Sequence, residues 1–199
     1  LAFANELSII CDKLNIDVWE LISLANRHPR INILQPGPGV GGHCIAVDPW
    51  FIISKTPNQA PLMHCARKVN DAKPYWVLDK IKIAITDFLE INPKKTVEDI
   101  TIACYGLAYK PDIDDLRESP ALRITESISK FHAGRLIIFE PNITELPFSL
   151  SNKASLVNSE STHNDIDITV ILVDHSEFKL MDIDQMNKTF VTDTRGLLR

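Results

Sequence analysis

The runs "ITIACYGLAY" (residues 100–109) and "RLIIFEP" (residues 135–141) enclose the segment "SPALRITESISKFHAG" (residues 119–134), and this succession decides the fold. The two runs are short and consist mainly of residues that favour strands. The enclosed segment carries apolar residues at helical spacing and ends in Gly134, a residue type that commonly closes a helix. A strand, a helix and a second strand in this order predict two parallel strands joined by a crossover helix.

The alternation continues towards the C-terminus. Three more strand-like runs follow: "ASLVNS" (residues 154–159), "DITVILVDH" (residues 167–175) and "TFVTDT" (residues 189–194). Together they predict an α/β fold with a Rossmann-like, doubly wound parallel sheet from about residue 99 onward. Gly106, which follows the first strand, is not part of a G-x-G-x-x-G dinucleotide fingerprint, and no such pattern is expected elsewhere in the chain.

The chain before this sheet is predicted to be wholly helical. The expected helices are residues 1–14, a helix capped by Asp17 and stopped by Pro29, a short helix opening at Asp48 with Pro49 in its first turn, and a long pattern over residues 60–90 that Pro74 kinks or divides. The sequence therefore predicts two domains, a helical one over residues 1–92 and an α/β one over residues 93–199.

Composition excludes several classes of function. The 199 residues are 45% apolar and 24% charged, which is ordinary for a soluble globular protein. A net charge of −5 without any basic run argues against non-specific binding of nucleic acid. No apolar run reaches membrane-spanning length and no secretory signal is visible. The four cysteines lack C-x-x-C spacing, which favours a reducing cytoplasm over a disulfide scaffold.

The segment "QPGPGVGGHCIAVDP" (residues 35–49) holds four of the seven glycines, and Cys44 follows closely after the last of them. A thiol at Cys44, between a glycine turn and a helix start, lies where the thiolate is favoured. Asp48 would face the same site if the intervening residues are helical, and the pair would then suit nucleophilic catalysis. Two alternatives stay open from these residues alone: a buried structural cysteine, and a zinc site built from the pairs His43-Cys44 and His64-Cys65, whose spacing is unusual for zinc.

Four stretches together are similar to the UDP-glucose/GDP-mannose dehydrogenase family. They are "NRHPRI" (residues 26–31), "GGHCIAVDP" (residues 41–49), "GLAYKPDIDDLRESPA" (residues 106–121) and "VTDTRG" (residues 191–196), which occur in the family's order. The resemblance implies oxidation of the C6 alcohol of a nucleotide sugar to a carboxylate, with two NAD+ consumed per sugar. The segment over residues 26–51 most resembles members that act on UDP-N-acetyl-D-mannosamine.

The same resemblance implies a role for each matching residue. Cys44 would be the nucleophile, and Asp48 would position or activate water. The substrate contacts would be His28, Arg30, Gly41, Tyr109, Lys110 and Arg195, while Arg117 would reach the NAD cofactor and no metal is expected. Without the resemblance, His28 and Arg30 are charges at a helix end, "DIDDLRE" (residues 112–118) is a solvated loop with internal ion pairs, and Arg195 is an exposed cation.

The resemblance also implies domain roles and partners. The helical part corresponds to a central dimerisation domain, so a homodimer through its helices is expected, and the α/β part corresponds to a UDP-sugar-binding domain. The family's NAD-binding domain, catalytic lysine and asparagine would precede Leu1. Residues 1–199 on their own are therefore expected to show no catalytic turnover. The alternatives are a UDP-glucose or other UDP-sugar 6-dehydrogenase, and a non-catalytic nucleotide-binding or dimerisation module.

Overall fold

The computed structural model describes residues 1–157, 165–181 and 190–198. Four helices come first: α1 (Ala2–Lys13), α2 (Val18–Ala25), α3 (Cys44–Lys55) and α4 (Pro61–Ile91). The strands β1 (Thr101–Tyr105), β2 (Arg135–Phe139), β3 (Ser155–Leu156), β4 (Ile168–Ile171) and β5 (Phe190–Asp193) follow, with α5 (Pro120–Phe131) between β1 and β2. Short 3-10 helices span Val97–Asp99 and Ser176–Leu180. The predicted α/β fold is confirmed.

The five strands form one parallel sheet in the order β3-β2-β1-β4-β5. The chain winds from β1 to β2 and β3 on one side and then places β4 and β5 on the other. The carboxyl ends of β1 and β4 therefore flank the point where the winding reverses, which is where open sheets of this kind bind ligands. Residues 158, 159 and 189 of the predicted strand runs lie outside the described residues.

Apolar side chains cover both faces of the sheet. On one face, α5 and the second half of α4 pack on β1 and β4, through a core that includes Val77, Ile81, Phe88, Ile102, Cys104, Ile124, Ile128 and Val170. The other face carries Ala103, Tyr105, Ile137, Phe139, Ile171 and Phe178. Burial raises the pKa of the Cys104 thiol to about 12, so this cysteine is an inert part of the core.

Pro74 does not divide the long helix, because α4 runs unbroken from Pro61 to Ile91, whereas a kink at Pro74 stays a prediction. Contacts on both sides of the proline hold the helix together: Asn70 bonds to α1, whereas Val77 enters the core of the sheet. This packing outweighs the cost of a proline inside a helix, which is about 3 kcal/mol. The second half of α4 packs on the sheet, so these contacts do not separate two domains at residue 92. The predicted boundary there stays a prediction.

The predicted start of α3 is also wrong, because the helix opens at Cys44 and contains Pro49. Pro49 has no N–H, so the carbonyl of Ile45, four residues earlier, lacks its helical partner. The buried Arg67 of α4 donates a hydrogen bond from Nη1 to that carbonyl over 3.2 Å. This contact from a distant residue lets the helix begin one turn before the proline.

The start of α2 agrees with the sequence. The carboxylate of Asp17 accepts hydrogen bonds from the backbone N–H groups of Trp19 and Glu20, so the predicted cap is confirmed. The helix ends at Ala25, four residues before the predicted stop at Pro29. Among the described residues, no helix is long and apolar enough to cross a membrane.

Candidate active site

The glycine-rich loop before α3 packs against the connection between β1 and α5. The N–H of Gly42 donates to the carbonyl of Arg117 over 3.0 Å, and Gly42 adopts a φ of 80°, which favours glycine. A Cβ on Gly41 would lie 2.6 Å from the carbonyl oxygen of Glu118 and 2.7 Å from Cβ of Tyr109. The loop therefore needs glycine because it lies directly on the neighbouring domain, and the role of Gly41 as a substrate contact stays a prediction.

The expectation that the chain holds no G-x-G-x-x-G pattern is wrong, because the letters of this loop match it at Gly37, Gly39 and Gly42. It comes after the turn that follows α2 and not after a strand, so it lacks the strand–turn–helix setting of a dinucleotide fingerprint. Its glycines serve packing against the α/β domain instead.

Cys44 and Asp48 lie one turn apart at the start of α3. Cys44 is the first residue of the helix and carries an exposed free thiol. Residues four apart in a helix share a face, so the exposed carboxylate of Asp48 lies on the side of Cys44. The first N–H groups of a helix have no partner within it and favour negative charge at this end. The helical geometry on which the nucleophile hypothesis depends is therefore present.

Arg117, Tyr109 and Lys110 lie in the connection that holds the glycine loop. The guanidinium of Arg117 is exposed and pairs with Asp115 through Nε at 3.0 Å and Nη2 at 2.6 Å. Hydrogen bonds from Arg117, with a smaller effect of the Lys110 charge, lower the pKa of Asp115 to about 2. Asp115 in turn raises the pKa of Arg117, with smaller contributions from Tyr109 and Cys44, so these groups share one surface. The internal ion pair expected of a solvated loop is thus also present.

Arg195 follows β5 and reaches the same glycine loop. Its Nε donates to Asp174 over 2.6 Å, and its Nη1 lies 3.5 Å from the carbonyl oxygen of Pro36. The side chain is 24% exposed. Arg195 is therefore a half-buried link between the sheet and the loop, not the freely exposed cation that the local sequence alone suggests.

His28 and Arg30 occupy an exposed tip after α2. The Asn26 side chain closes this turn, because its Nδ2 donates to the carbonyl of Ile33 over 2.9 Å and its Oδ1 accepts from the Ile33 N–H over 2.7 Å. Sequence reasoning missed Asn26, although an asparagine at the end of a helix often closes the turn that follows. In the described part of the chain, no hydrogen bond or ion pair joins this tip to Cys44, so the substrate roles of His28 and Arg30 stay predictions.

Sequence reasoning also missed Glu140 and His175, which lie at the carboxyl ends of β2 and β4. Oε2 of the buried Glu140 accepts the N–H groups of Leu107 and Ala108, at 2.7 and 3.1 Å, in the turn after β1. Burial alone would raise the pKa of Glu140, but hydrogen bonds from His175 and from the backbone lower it below its usual value. In dinucleotide-binding sheets this turn faces the pyrophosphate, whereas here a carboxylate of the protein occupies its N–H groups.

The zinc alternative gains no support from the pairs that suggested it. Cys44 and Cys65 are both exposed thiols, and the His64 ring packs edge-on against Trp50 at 5.7 Å. In the residues that the structure covers, the only grouping of potential ligands is Asp112, His175 and Glu177, with ligand atoms within 4.8 Å of one another. Both ring nitrogens of His175 already have protein partners.

Comparison with known proteins places this geometry in context. Residues 1–72 match the central domain of the UDP-glucose/GDP-mannose dehydrogenase family, and residues 103–199 match the UDP binding domain of the same family. The chain is 55% identical over all 199 residues to UDP-N-acetyl-D-mannosamine dehydrogenase of Salmonella typhimurium and covers 47% of that protein. It is 52% identical over 197 residues to NDP-N-acetyl-D-galactosaminuronic acid dehydrogenase of Ralstonia nicotianae, covering 99% of this chain and 44% of that protein.

Solved structures agree with these relatives. The UDP-N-acetyl-mannosamine dehydrogenase of Staphylococcus aureus superposes with a TM-score of 0.76 at 38% identity, over 98% of this chain and 44% of that one. The UDP-D-ManNAc dehydrogenase of Pyrococcus horikoshii superposes with a TM-score of 0.77 at 30% identity, over 100% of this chain and 45% of that one. The chain spans about half the length of the relatives that it matches.

Proposed function

Because the chain belongs to the UDP-glucose/GDP-mannose dehydrogenase family, we propose that it carries the nucleophile and the nucleotide-sugar side of an NAD-dependent UDP-N-acetyl-D-mannosamine 6-dehydrogenase. The product would be UDP-N-acetyl-D-mannosaminuronate. The observation that carries this proposal is the contact of Gly42 with Arg117, since it holds Cys44 beside the connection that follows β1. The relatives most similar in sequence support the choice of sugar.

The proposed chemistry needs a sulfur nucleophile. NAD, when bound, accepts the hydride that leaves C6 at each of the two oxidation stages. Between these stages the Cys44 thiolate adds to the aldehyde carbon and forms a thiohemiacetal, whose oxidation leaves a thioester on the same sulfur. Water then hydrolyses the thioester, releasing the sugar carboxylate and restoring the thiol. Asp48, on the same helix face, would orient that water.

We assign the substrate contacts by charge and position. Lys110 and Arg195 follow β1 and β5 at the carboxyl edge of the sheet and would hold the diphosphate. Tyr109 lies beside Lys110, whose Nζ is 5.6 Å from the Tyr109 ring centroid. His28 and Arg30, on their exposed tip, would reach the sugar from the partner protomer of a homodimer.

For NAD, the residues of this chain fit a single phosphate contact. The exposed guanidinium of Arg117 can take a phosphate, whereas Glu140 fills the N–H groups of the turn after β1. We therefore place the dinucleotide-binding fingerprint outside residues 1–199 and expect these residues alone to bind nucleotide without turnover. The four free cysteines favour a reducing compartment, and we place the protein in the cytoplasm.

Titration calorimetry with UDP, and then with UDP-N-acetyl-D-mannosamine, tests the assignment. We expect saturable binding that Lys110→Ala and Arg195→Ala each weaken at least about tenfold, since each removes a charge-assisted contact. Lys130→Ala removes the same charge from the exposed last turn of α5 and is the matched control. No binding of UDP at millimolar concentration would overturn the proposal. Tighter binding of UDP-glucose than of the acetylated sugar would change the substrate but not the reaction.

A non-catalytic nucleotide-binding module is the second candidate, because Arg117 already has an internal partner in Asp115. The rates of alkylation by iodoacetamide, followed by peptide mass spectrometry, separate the two candidates. Cys65 is exposed like Cys44 but lies one turn inside α4, whereas Cys44 is the first residue of α3, so Cys65 is the matched control. We expect Cys44 to react faster than Cys65. Equal rates would favour the module.

A further inference from the structure

A buried histidine–carboxylate pair at the carboxyl edge of the sheet has no part in the chemistry above. The side chains of His175 and Glu140 are both fully buried, with His175 Nε2 at 3.1 Å from Glu140 Oε2. They follow β4 and β2, on either side of β1 in the sheet. Their position places them between the strand ends and the connection that carries Lys110.

The hydrogen bonds of His175 determine its tautomer. The N–H of Asp112 points at His175 Nδ1 over 2.9 Å, and an N–H can only donate, so Nδ1 accepts and carries no proton. The proton therefore lies on Nε2 and is donated to Glu140. The amide of Asn142 lies 3.0 Å from the same Nδ1 and is compatible with this assignment.

The pair holds the connection at two points. Oε2 of Glu140 accepts the N–H groups of Leu107 and Ala108, while His175 holds the N–H of Asp112. Lys110 lies between these two points. The structure thus fixes the backbone on both sides of the proposed diphosphate contact from a single buried pair.

Asp112 lies at the far end of this arrangement. Its φ of 60° lies in the left-handed region, which Asp adopts more readily than most non-glycine residues. Its carboxylate accepts from the N–H of Ser176 at 2.8 Å and from the Ser176 hydroxyl at 2.7 Å. His175 and Ser176 together therefore hold the backbone of Asp112 in this conformation.

We propose that His175 is a positioning residue for the nucleotide site: by holding Asp112, and through Glu140 also Leu107 and Ala108, it keeps Lys110 directed at the diphosphate. This inference rests on the proposed function for the role of Lys110.

Two substitutions separate the two bonds of His175. In His175→Asn, the side-chain oxygen can replace Nδ1 and still accept from Asp112, whereas the bond to Glu140 is lost. In His175→Gln, the side-chain amide can replace Nε2 and still donate to Glu140, whereas the bond to Asp112 is lost. The readouts are the Kd for UDP by calorimetry and the hydrogen exchange of the backbone N–H of Asp112, with the thermal midpoint as a check of folding.

We expect His175→Gln to raise the Kd for UDP about tenfold and to lose protection at Asp112, and His175→Asn to stay within about threefold of the parent. Equal effects of the two variants on Kd and protection would overturn the proposal, whether both are large or both are absent. Asp112→Gly keeps the backbone N–H that His175 holds and removes only the Ser176 contacts, so we expect its Kd for UDP to stay within about threefold of the parent. A rise in Kd as large as that of His175→Gln would assign the positioning to Ser176 and overturn the role of His175.

The exchange readout does not depend on nucleotide binding. If the parent chain does not bind UDP, the proposed function fails, while protection of the Asp112 N–H in the parent and its loss in His175→Gln still test the positioning. If UDP binds but the variants behave alike, the positioning fails and the proposed function stands.

Discussion

Gly41 and Gly37 lie in one loop but meet different neighbours, which gives a test at the scale of single residues. A Cβ on Gly41 would meet the backbone oxygen of Glu118 at 2.6 Å, whereas one on Gly37 would meet only the tip of the Arg195 side chain, also at 2.6 Å. We expect Gly41→Ala to lower the free energy of unfolding by about 1–3 kcal/mol, because the backbone of the loop or of Glu118 must move to make room for the new methyl group. Gly37→Ala, the matched control, should cost less than about 0.5 kcal/mol. Urea denaturation measures both, and equal losses would contradict this packing.

Lys73 provides a second test at this scale, through pH. It is buried in α4, with Nζ 2.6 Å from the Ser8 hydroxyl and 3.7 Å from the centroid of the Trp76 ring. Burial lowers the pKa of Lys73 to about 7, although Asp12 opposes this shift. The folded protein thus releases this proton at a lower pH than the unfolded chain, whose lysine pKa is about 10.4, so stability rises as pH increases above 7.

We expect the Lys73 proton to add about 2 kcal/mol to the free energy of unfolding between about pH 6 and about pH 8.5. Lys73→Met should remove this increment, while Lys82→Met, at an exposed position of the same helix, should retain it. Urea denaturation at the two pH values measures the difference. A pH dependence that is the same in Lys73→Met and the parent would show that Lys73 stays charged in the folded protein.

Residues of the candidate site differ in how far sequence could predict them. Cys44 and Asp48 lie one helical turn apart, so a local pattern is enough to place them together. Glu140 and His175 are 35 residues apart and meet only after β2 and β4 have joined the sheet. Their contact depends on long-range strand pairing, which no local pattern records.

At the scale of elements, α4 is the helix on which both domains pack. Ile81 is fully buried in the core shared with the sheet, whereas Ile83, two positions later, is 52% exposed. We expect Ile81→Ala to cost about 2–5 kcal/mol of unfolding free energy, through lost burial and a cavity. Ile83→Ala makes the same chemical change on the solvent side and should cost less than about 1 kcal/mol. Similar losses for both, measured by denaturation, would mean that the exposed side of α4 is also packed in solution.

Helices and strands were largely predictable as elements, while their limits were not. The strand-like runs and the amphipathic pattern of α5 are local, so β1, β2, β4 and β5 were expected where they occur. The start of α3 was missed because Pro49 is normally a first-turn residue, and only Arg67, 22 residues away, compensates for it. Tertiary contacts of this kind decide where a helix starts and whether a proline divides it.

At the scale of the whole molecule, α4 and the glycine-rich loop join the two domains in the part of the chain that the structure describes. The second half of α4 lies in the core of the sheet, and the glycine loop bonds to Arg117 and approaches Arg195. Parallel strands with crossover helices were predictable from the alternation of patterns. The strand order β3-β2-β1-β4-β5 was not, because it depends on which strands pair across distant parts of the chain.

The outer face of α1 leads to the last prediction, a homodimer. Ala4, Ser8 and Cys11 of this helix are buried, whereas an apolar stripe beside them is exposed. The stripe consists of Phe3, Ile10 and Leu14, which are 62%, 49% and 61% exposed. Apolar residues that share one exposed helix face are typical of an association surface, and two copies of such a stripe suit a two-fold interface.

We expect size-exclusion chromatography with light scattering to give the mass of a dimer for the parent chain and of a monomer for Ile10→Glu, because a carboxylate would be buried without a partner at the interface. Phe148→Glu is the control, since Phe148 is 92% exposed and lies between β2 and β3 of the α/β domain. It should remain a dimer. A monomeric parent, or a dimer that Ile10→Glu leaves intact, would contradict an interface through α1.

If dimer formation brings the tip with His28 and Arg30 to the partner's Cys44, then Ile10→Glu should also weaken binding of the sugar nucleotide while leaving binding of UDP unchanged.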